Sequence, residues 1–402
     1  MERKNSSPWA KLTVAVALGS TAMLSGMLFR DFKDFRIFEK KAIPINVLAS
    51  KDPNLIPESD YFDQVVNLVK REYVDSIDNE LKFATGAVKG MVGSLADIHS
   101  IYYDAEEFQI FSRNLEGHYQ GIGADLVFEY PPAKTPQPKS ESDAPQSIPR
   151  VTIANVVPGG PADKAGLKSG DWFETVEGSW VVNSDLIDRV RETQEKVSKK
   201  IWPQSKLEDL RKEIRTKTEK TLVPMRAWKR LQTGKEGAMK VTVIRQGKPI
   251  TVELIRSETT RHLNESAIRP IFTQEGVAPL KTALASGNAK IDLRGQAYGD
   301  FTSMLSAVNA SIAPGSYGQL VREKKQPIAI QVKPGATAAS GITLIVDGQT
   351  KGVPGIFAAI MQKAGAKVEG VASKSLVATE IRVLPDGSGY TLNLGTYTAG
   401  GK

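Results

Sequence analysis

Between residues 343 and 380 the chain sets hydroxyls and amines close together. Thr350 stands beside Lys351, and Ser373, Lys374 and Ser375 follow on a later loop. A hydroxyl next to a lysine is the least equipment acyl transfer needs: the oxygen attacks a carbonyl and a neutral amine takes its proton. Such a lysine must be held neutral by burial, because a solvated one keeps a pKa of about 10.4. Both lysines read here as solvated. The stretch DGQTKGVPG, residues 347–355, holds no Ser, Cys or His. Thr350 or Ser375 as nucleophile, with Lys351 or Lys374 as base, is the hydrolytic pairing this segment offers.

Other chemistries fall away quickly. Without a single cysteine there are no disulfides, thiolate nucleophiles or thiolate metal sites. The three histidines, His99, His118 and His262, are too few and scattered for a multi-histidine metal centre. No complete G-x-x-x-x-G-K-[ST] phosphate loop is present, and no acidic pair sits in a glycosidase context. No cofactor or metal is expected. A net charge of +8 suits anionic partners, but no nucleic-acid-binding signature accompanies it.

The elements that must position the hydroxyls form an α/β region, residues 259–402. Strands are expected over 288–295, 342–348 and 366–372, helices over 300–310 and 356–365, and a hairpin over 381–399 around Pro385–Gly389. Short apolar strands alternating with helices imply a partly parallel sheet. Residues 117–258 read as a small β domain with a hairpin at 239–256. A Pro/Ser-rich loop (131–149) and a charged helical insert (185–232) interrupt it. Residues 42–116 read as a tether and helices over 61–74, 80–95 and 104–115, with Asp104 as N-cap. Residues 1–41 read as a cytoplasmic stub and a transmembrane anchor. LTVAVALGSTAMLSGMLF, residues 12–29, is uncharged and roughly 27 Å long as a helix, close to the ~30 Å hydrocarbon core. The expected fold class is therefore α+β and multidomain, with an N-terminal transmembrane helix.

KFATGAVKGMVGSLADIHSIYYDAEEF (82–108), GHYQGIGADL (117–126), VVPGGPADKAGLKSGD (156–171), IDLRGQAYGD (291–300), DGQTKGVPG and GVASKSLVATE (370–380) follow one another in an order that resembles the tail-specific, or carboxyl-terminal processing, serine proteases. The resemblance covers most of the chain from about residue 60. It implies a PDZ domain and a protease core that uses a Ser-Lys dyad oriented by a glutamine. Carried onto this chain, the nucleophile falls on Gly352, the general base on Leu376 and the glutamine on Glu380. Thr350 matches a neighbouring serine. Gly352 has no side chain to attack with, Leu376 cannot take a proton, and Glu380 brings a charge where an amide belongs. Tyr298 is expected to crowd the turn whose N–H groups would stabilise an oxyanion. The core also lacks the family's usual last strand, so a partner chain is expected to complete an exposed edge.

The resemblance further implies that protein C-termini add as a strand to the PDZ edge. Their carboxylate would lie on the loop Gln120, Gly121, Ile122 and Gly123, and their last side chain near Ile122 and Leu126. In the insert, 11 Lys/Arg face 6 Asp/Glu between Arg189 and Lys220. Trp202, Leu207, Leu210 and Ile214 there are expected to bind a partner or, equally, to cover their own domain. The chain is thus expected to be a membrane-anchored, inactive protease homologue of a bacterial inner membrane, single-pass, with its bulk on the periplasmic side. It would serve as a peptide-binding scaffold or complex subunit in a hetero- or homo-oligomer. An active serine endopeptidase and a purely structural subunit are the alternatives.

Overall fold

The computed structural model describes residues 58–75, 77, 81–130, 148–234, 237–261, 267–323, 325–332 and 341–399. The chain divides into a unit ending at Asp78 and a second running from Asn79 to Lys402. The first contributes one described helix, Glu58–Glu72, whose apolar stripe of Phe62, Val65 and Leu68 is exposed.

The second unit opens with helices Leu81–Ser94 and Ala105–Leu115. The latter starts where its sequence demands. Asp104 accepts from the Glu107 N–H at 2.8 Å, and Glu107 reaches back to the Asp104 N–H at 2.9 Å. Its apolar face buries Phe108, Ile110 and Phe111 in a core shared with a seven-stranded sheet. That sheet runs Ala124–Glu129, Arg150–Val156, Trp172–Val176, Ser179–Val181 and Thr221–Leu222. The hairpin Gly237–Arg245 and Lys248–Arg256 pairs onto its third strand. Strand Ala124–Glu129 lies at one edge. The charged insert forms helices Asp185–Ser198 and Ser205–Thr218, and Pro224 then opens helix Pro224–Gln232 as its first residue.

The remaining residues build a second core. A parallel sheet of Lys290–Asp292, Thr343–Ile345 and Lys367–Glu369 packs with helices Ala278–Ser286, Phe301–Asn309 and Gly352–Lys363. Beside it stands an antiparallel sheet of Tyr102–Tyr103, Gly389–Thr398, Gly315–Arg322 and Lys325–Val332. Strand Val377–Val383 pairs on Gly389–Thr398. Helix Gly352–Lys363 begins four residues before the sequence-based start at 356. Pro354 is tolerated because the first-turn N–H groups have no intrahelical partner.

One part of the sequence-based architecture is corrected. No helix among the described residues is long and apolar enough to cross a membrane. Residues 12–29, on which the anchor rested, lie outside the described residues, as do the tether (apart from its last residue) and most of the 131–149 loop. The architecture of the described residues is α+β with mixed sheets. The membrane anchor, the membrane as partner and the single-pass inner-membrane topology are withdrawn for want of a spanning helix among the described residues.

Candidate functional site

The strand Thr343–Ile345, the turn 347–351 and the helix Gly352–Lys363 form the junction onto which the resemblance carries the nucleophile position. Asp347 organises it, accepting from the N–H groups of Gly295 and Gln349, each at 3.0 Å. Thr350 is completely buried. Its hydroxyl donates to the Leu293 carbonyl at 2.9 Å and accepts from the Asp347 N–H at 3.0 Å. That oxygen holds the turn together and faces no open space.

Gly352 takes a left-handed φ of +58°, and its N–H donates to the Ser375 carbonyl at 2.9 Å. A Cβ at this position would lie 2.3 Å from the Ala297 carbonyl oxygen. The approach of that carbonyl is closer than any side chain tolerates, so the turn is built around the absence of one. Leu376 packs against the core, and Glu380 is paired with Arg382. Gly352 offers no attacking atom, and Leu376 offers no base.

A cavity of about 290 Å³ nevertheless opens beside Gly352, with His99, Glu129, Tyr298, Lys351 and Ser375 among its walls. The Lys351 ammonium donates to Glu129 at 2.5 Å. Burial is the main influence on His99. It lowers the imidazole pKa against the opposing pull of Asp97, and Lys351 lowers it further. The ring is neutral at neutral pH and lies beside a cation already committed to a carboxylate. Lys374 and Ser375 are exposed on their loop. His99 and Glu129 were not singled out in the sequence, because they reach this cavity from elements more than 200 residues away. Tyr298 does not crowd the turn as expected. It bonds to the Phe128 backbone, packs edge-on against Phe111 at 5.5 Å, and its hydroxyl pKa is raised by burial. The Ala297 carbonyl is what fills the space.

The glycine loop at 120–123 is equally occupied. The Ile122 N–H donates to the Leu231 carbonyl at 3.0 Å, and a Cβ on Gly121 would sit 2.2 Å from that same oxygen. The Gln120 side chain donates to Glu258 at 3.1 Å and accepts from Arg113 at 3.2 Å. Ile122 and Leu126 are buried. Along the open edge of strand Ala124–Glu129, the Gln232 amide donates to the Ala124 carbonyl at 2.7 Å, and Tyr298 caps Phe128. Helix Pro224–Gln232 thus covers the loop and one end of the edge that an incoming chain would use.

The insert turns its apolar face inward. Leu207 and Leu210 are buried, and Leu210 and Ile214 pack with Trp180, Val182 and Leu186. Trp202 carries the Lys196 ammonium 4.2 Å from its ring centre. Arg189 grips Glu213 through two bonds of 2.9 and 2.8 Å, and Lys217 reaches Glu174 at 2.7 Å. Leu210 and Ile214 thus pack on their own domain, whereas Trp202 stacks within the insert.

Several known proteins are similar to parts of this chain. The family described as CtpB_N-like, the N-terminal domain of the activating protease CtpB, matches residues 16–107. The carboxy-terminal processing protease CtpB of Bacillus subtilis (strain 168) is 25% identical over 176 residues, 44% of this chain and 33% of that protein. CtpA of the same organism is 28% identical over 131 residues, 33% of this chain and 24% of that protein. The matched stretches therefore span a third or less of these relatives. A photosystem II D1 C-terminal processing protease superposes with a TM-score of 0.46 at 16% identity, covering 86% of this chain and 89% of that one. The chain is a homologue of the tail-specific carboxyl-terminal processing proteases.

Proposed function

We propose that this chain is a catalytically silent homologue of the tail-specific proteases that acts through protein association. The observation that carries this reading is the Ala297 carbonyl, 2.3 Å from where a Cβ of residue 352 would stand. A nucleophile at the family position would have to displace main chain. The substitute hydroxyl at Thr350 is spent on two hydrogen bonds. The Lys351 amine is tied to Glu129 rather than to a hydroxyl. The active-endopeptidase alternative is left with Ser375 and Lys374, both exposed on their loop.

The seven-stranded sheet, with its glycine loop and short helix Pro161–Lys164, supports the reading of a PDZ-like unit. In a scaffold that captures C-termini, the loop N–H groups would hold a carboxylate. Here the Ile122 N–H is given to Leu231 instead, which favours a structural subunit over a capturing one. Purified chain incubated with an unfolded protein and a serine-directed probe tests the main reading. No turnover and no adduct are expected; an acyl adduct on any side chain from 343 to 380 overturns it. Titration with C-terminal peptides decides the second point, and tight binding abolished by Ile122→Asp would restore the scaffold role.

A further inference from the structure

A groove of about 810 Å³ runs between helix Ala105–Leu115, the segment 271–277, helix Phe301–Asn309 and the end of strand Val377–Val383. Its volume falls in the range of about 300–1,000 Å³ typical of binding clefts. It shares no lining residue with the cavity beside Gly352.

One wall is an open sheet edge. Strand Val377–Val383 pairs with Gly389–Thr398 alone. The Leu384 N–H donates to the Ser388 carbonyl at 2.7 Å, so the alternate residues Val383 and Ile381 turn their main-chain groups away from that neighbour. Ile381 shows the direction, its N–H donating outward to Asp300 at 3.0 Å. Two residues on, Val383 is 66% exposed, and its N–H meets no acceptor among the described residues.

The side chains around this edge are apolar in the floor and acidic above it. Leu115, Ile271 and Ile381 lie half-buried in the groove. Glu116, Glu275 and Asp300 also line it, and among the described residues none of the three is ion-paired. Asp300 is buried and accepts from the Ser303 N–H and hydroxyl, both at 2.7 Å and both neutral donors. Of the two lining cations, Arg382 is held by Glu380, which leaves Lys281 against three carboxylates.

We propose that this groove receives an extended segment of a partner protein, with lysine or arginine set between apolar residues, as a short strand added to the edge at Ile381–Val383. The open main chain selects a strand, because a helix has already spent its own N–H and carbonyl groups internally. The Val383 N–H and the Ile381 carbonyl supply the first bonds. Alternate side chains then meet the apolar floor and the acidic groups, which is the division a strand's period of two produces. The surplus of carboxylates selects cations and turns away acidic peptides, anionic lipid and nucleic acid. The proposal rests on the association reading above and names a surface for it, one that owes nothing to residues 343–375.

The test is fluorescence anisotropy of the full chain with a labelled nonapeptide of alternating valine and arginine, acetylated and amidated so that it carries no terminal charge. Saturable binding is expected, and replacing the arginines with glutamate should weaken it at least tenfold. Methylation of every peptide amide nitrogen should weaken it as much. In the protein, Val383→Pro should cost at least tenfold. It deletes an N–H that faces away from the paired strand, so the ladder is left whole. Glu275→Lys, on the surface, should cost at least threefold. If Val383→Pro fails to fold, the methylated peptide and Glu275→Lys carry the test. No saturable binding, equal binding of the glutamate or methylated peptide, or unchanged binding in either variant would each overturn the proposal. So would binding that requires a free peptide carboxylate. A serine-directed adduct would overturn the silent-homologue reading without altering this titration, so the two can fail separately.

Discussion

The glycine loop at 120–123 and the glycine turn at 350–355 belong to different sheets, yet they are blocked in the same way. In the first, the Leu231 carbonyl stands 2.2 Å from the Cβ that Gly121 lacks; in the second, the Ala297 carbonyl stands 2.3 Å from the one Gly352 lacks. Their surroundings differ. Helix Pro224–Gln232 lies directly on the loop, its Leu231 carbonyl accepting from the Ile122 N–H. The turn keeps about 290 Å³ of open space beside it. On the function proposed above, the first region has its loop N–H taken by its own helix, and the second has a glycine where a nucleophile would stand, with open space beside it.

The loop side of this comparison should be the more sensitive to intrusion. Gly121→Ala combines a left-handed φ with a main-chain collision, and a loss of roughly 3–5 kcal/mol is expected in denaturant unfolding. If its amides exchange like those of the parent chain, helix Pro224–Gln232 is not the lid described here. Gly352→Ser should cost somewhat less, roughly 2–4 kcal/mol, because the adjoining cavity lets the turn move. It should remain unable to cleave unfolded protein, since Leu376 still offers no base; robust cleavage would break the comparison outright. Thr350→Val removes the buried hydroxyl, leaves the Asp347 N–H without a partner and leaves the Leu293 carbonyl with the Gln296 N–H alone. About 1–3 kcal/mol should be lost, and any trace activity should be unaffected.

The smallest effect concerns the insert. Glu213 is held down to about 2, chiefly by its bonds to Arg189, from an ordinary carboxyl value of 4.5. Its folded-state pKa is depressed, so its contribution is complete above about pH 4.5 and drains away as pH falls towards 2. Amide protection of helices Asp185–Ser198 and Ser205–Thr218 should drop across that window, and Glu213→Gln should flatten the pH dependence. An unchanged profile in that variant would remove the Arg189–Glu213 clamp from the account.

Local signals were legible in the sequence to the extent that they are local. Asp104 with Glu107 announces its own helix cap, and the alternation around Gln246-Gly247 draws its hairpin. The replacement at Gly352 is equally plain in one dimension. The strands Gly315–Arg322 and Lys325–Val332 were not read, because GSYGQLVR and KQPIAIQV mix glycine, proline and charge without a clean period of two. Closure of the glycine loop could not be read at all. It depends on a carbonyl at 231 meeting an N–H at 122, and main-chain groups leave no mark in side-chain pattern. The same holds for His99 and Glu129, brought to Lys351 only by the packing of two sheets.

The insert leaves the seven-stranded sheet after Val181 and returns at Thr221, and the two short strands pair side by side, Trp180 with Thr221 and Val181 with Leu222. Departure and return are about one strand spacing, ~5 Å, apart. The two strands run parallel, so the two-helix excursion is the crossover between them, and a replacement would need about a dozen residues to keep the strand order. Its length and surface are free to vary at almost no entropic penalty to the domain that carries it.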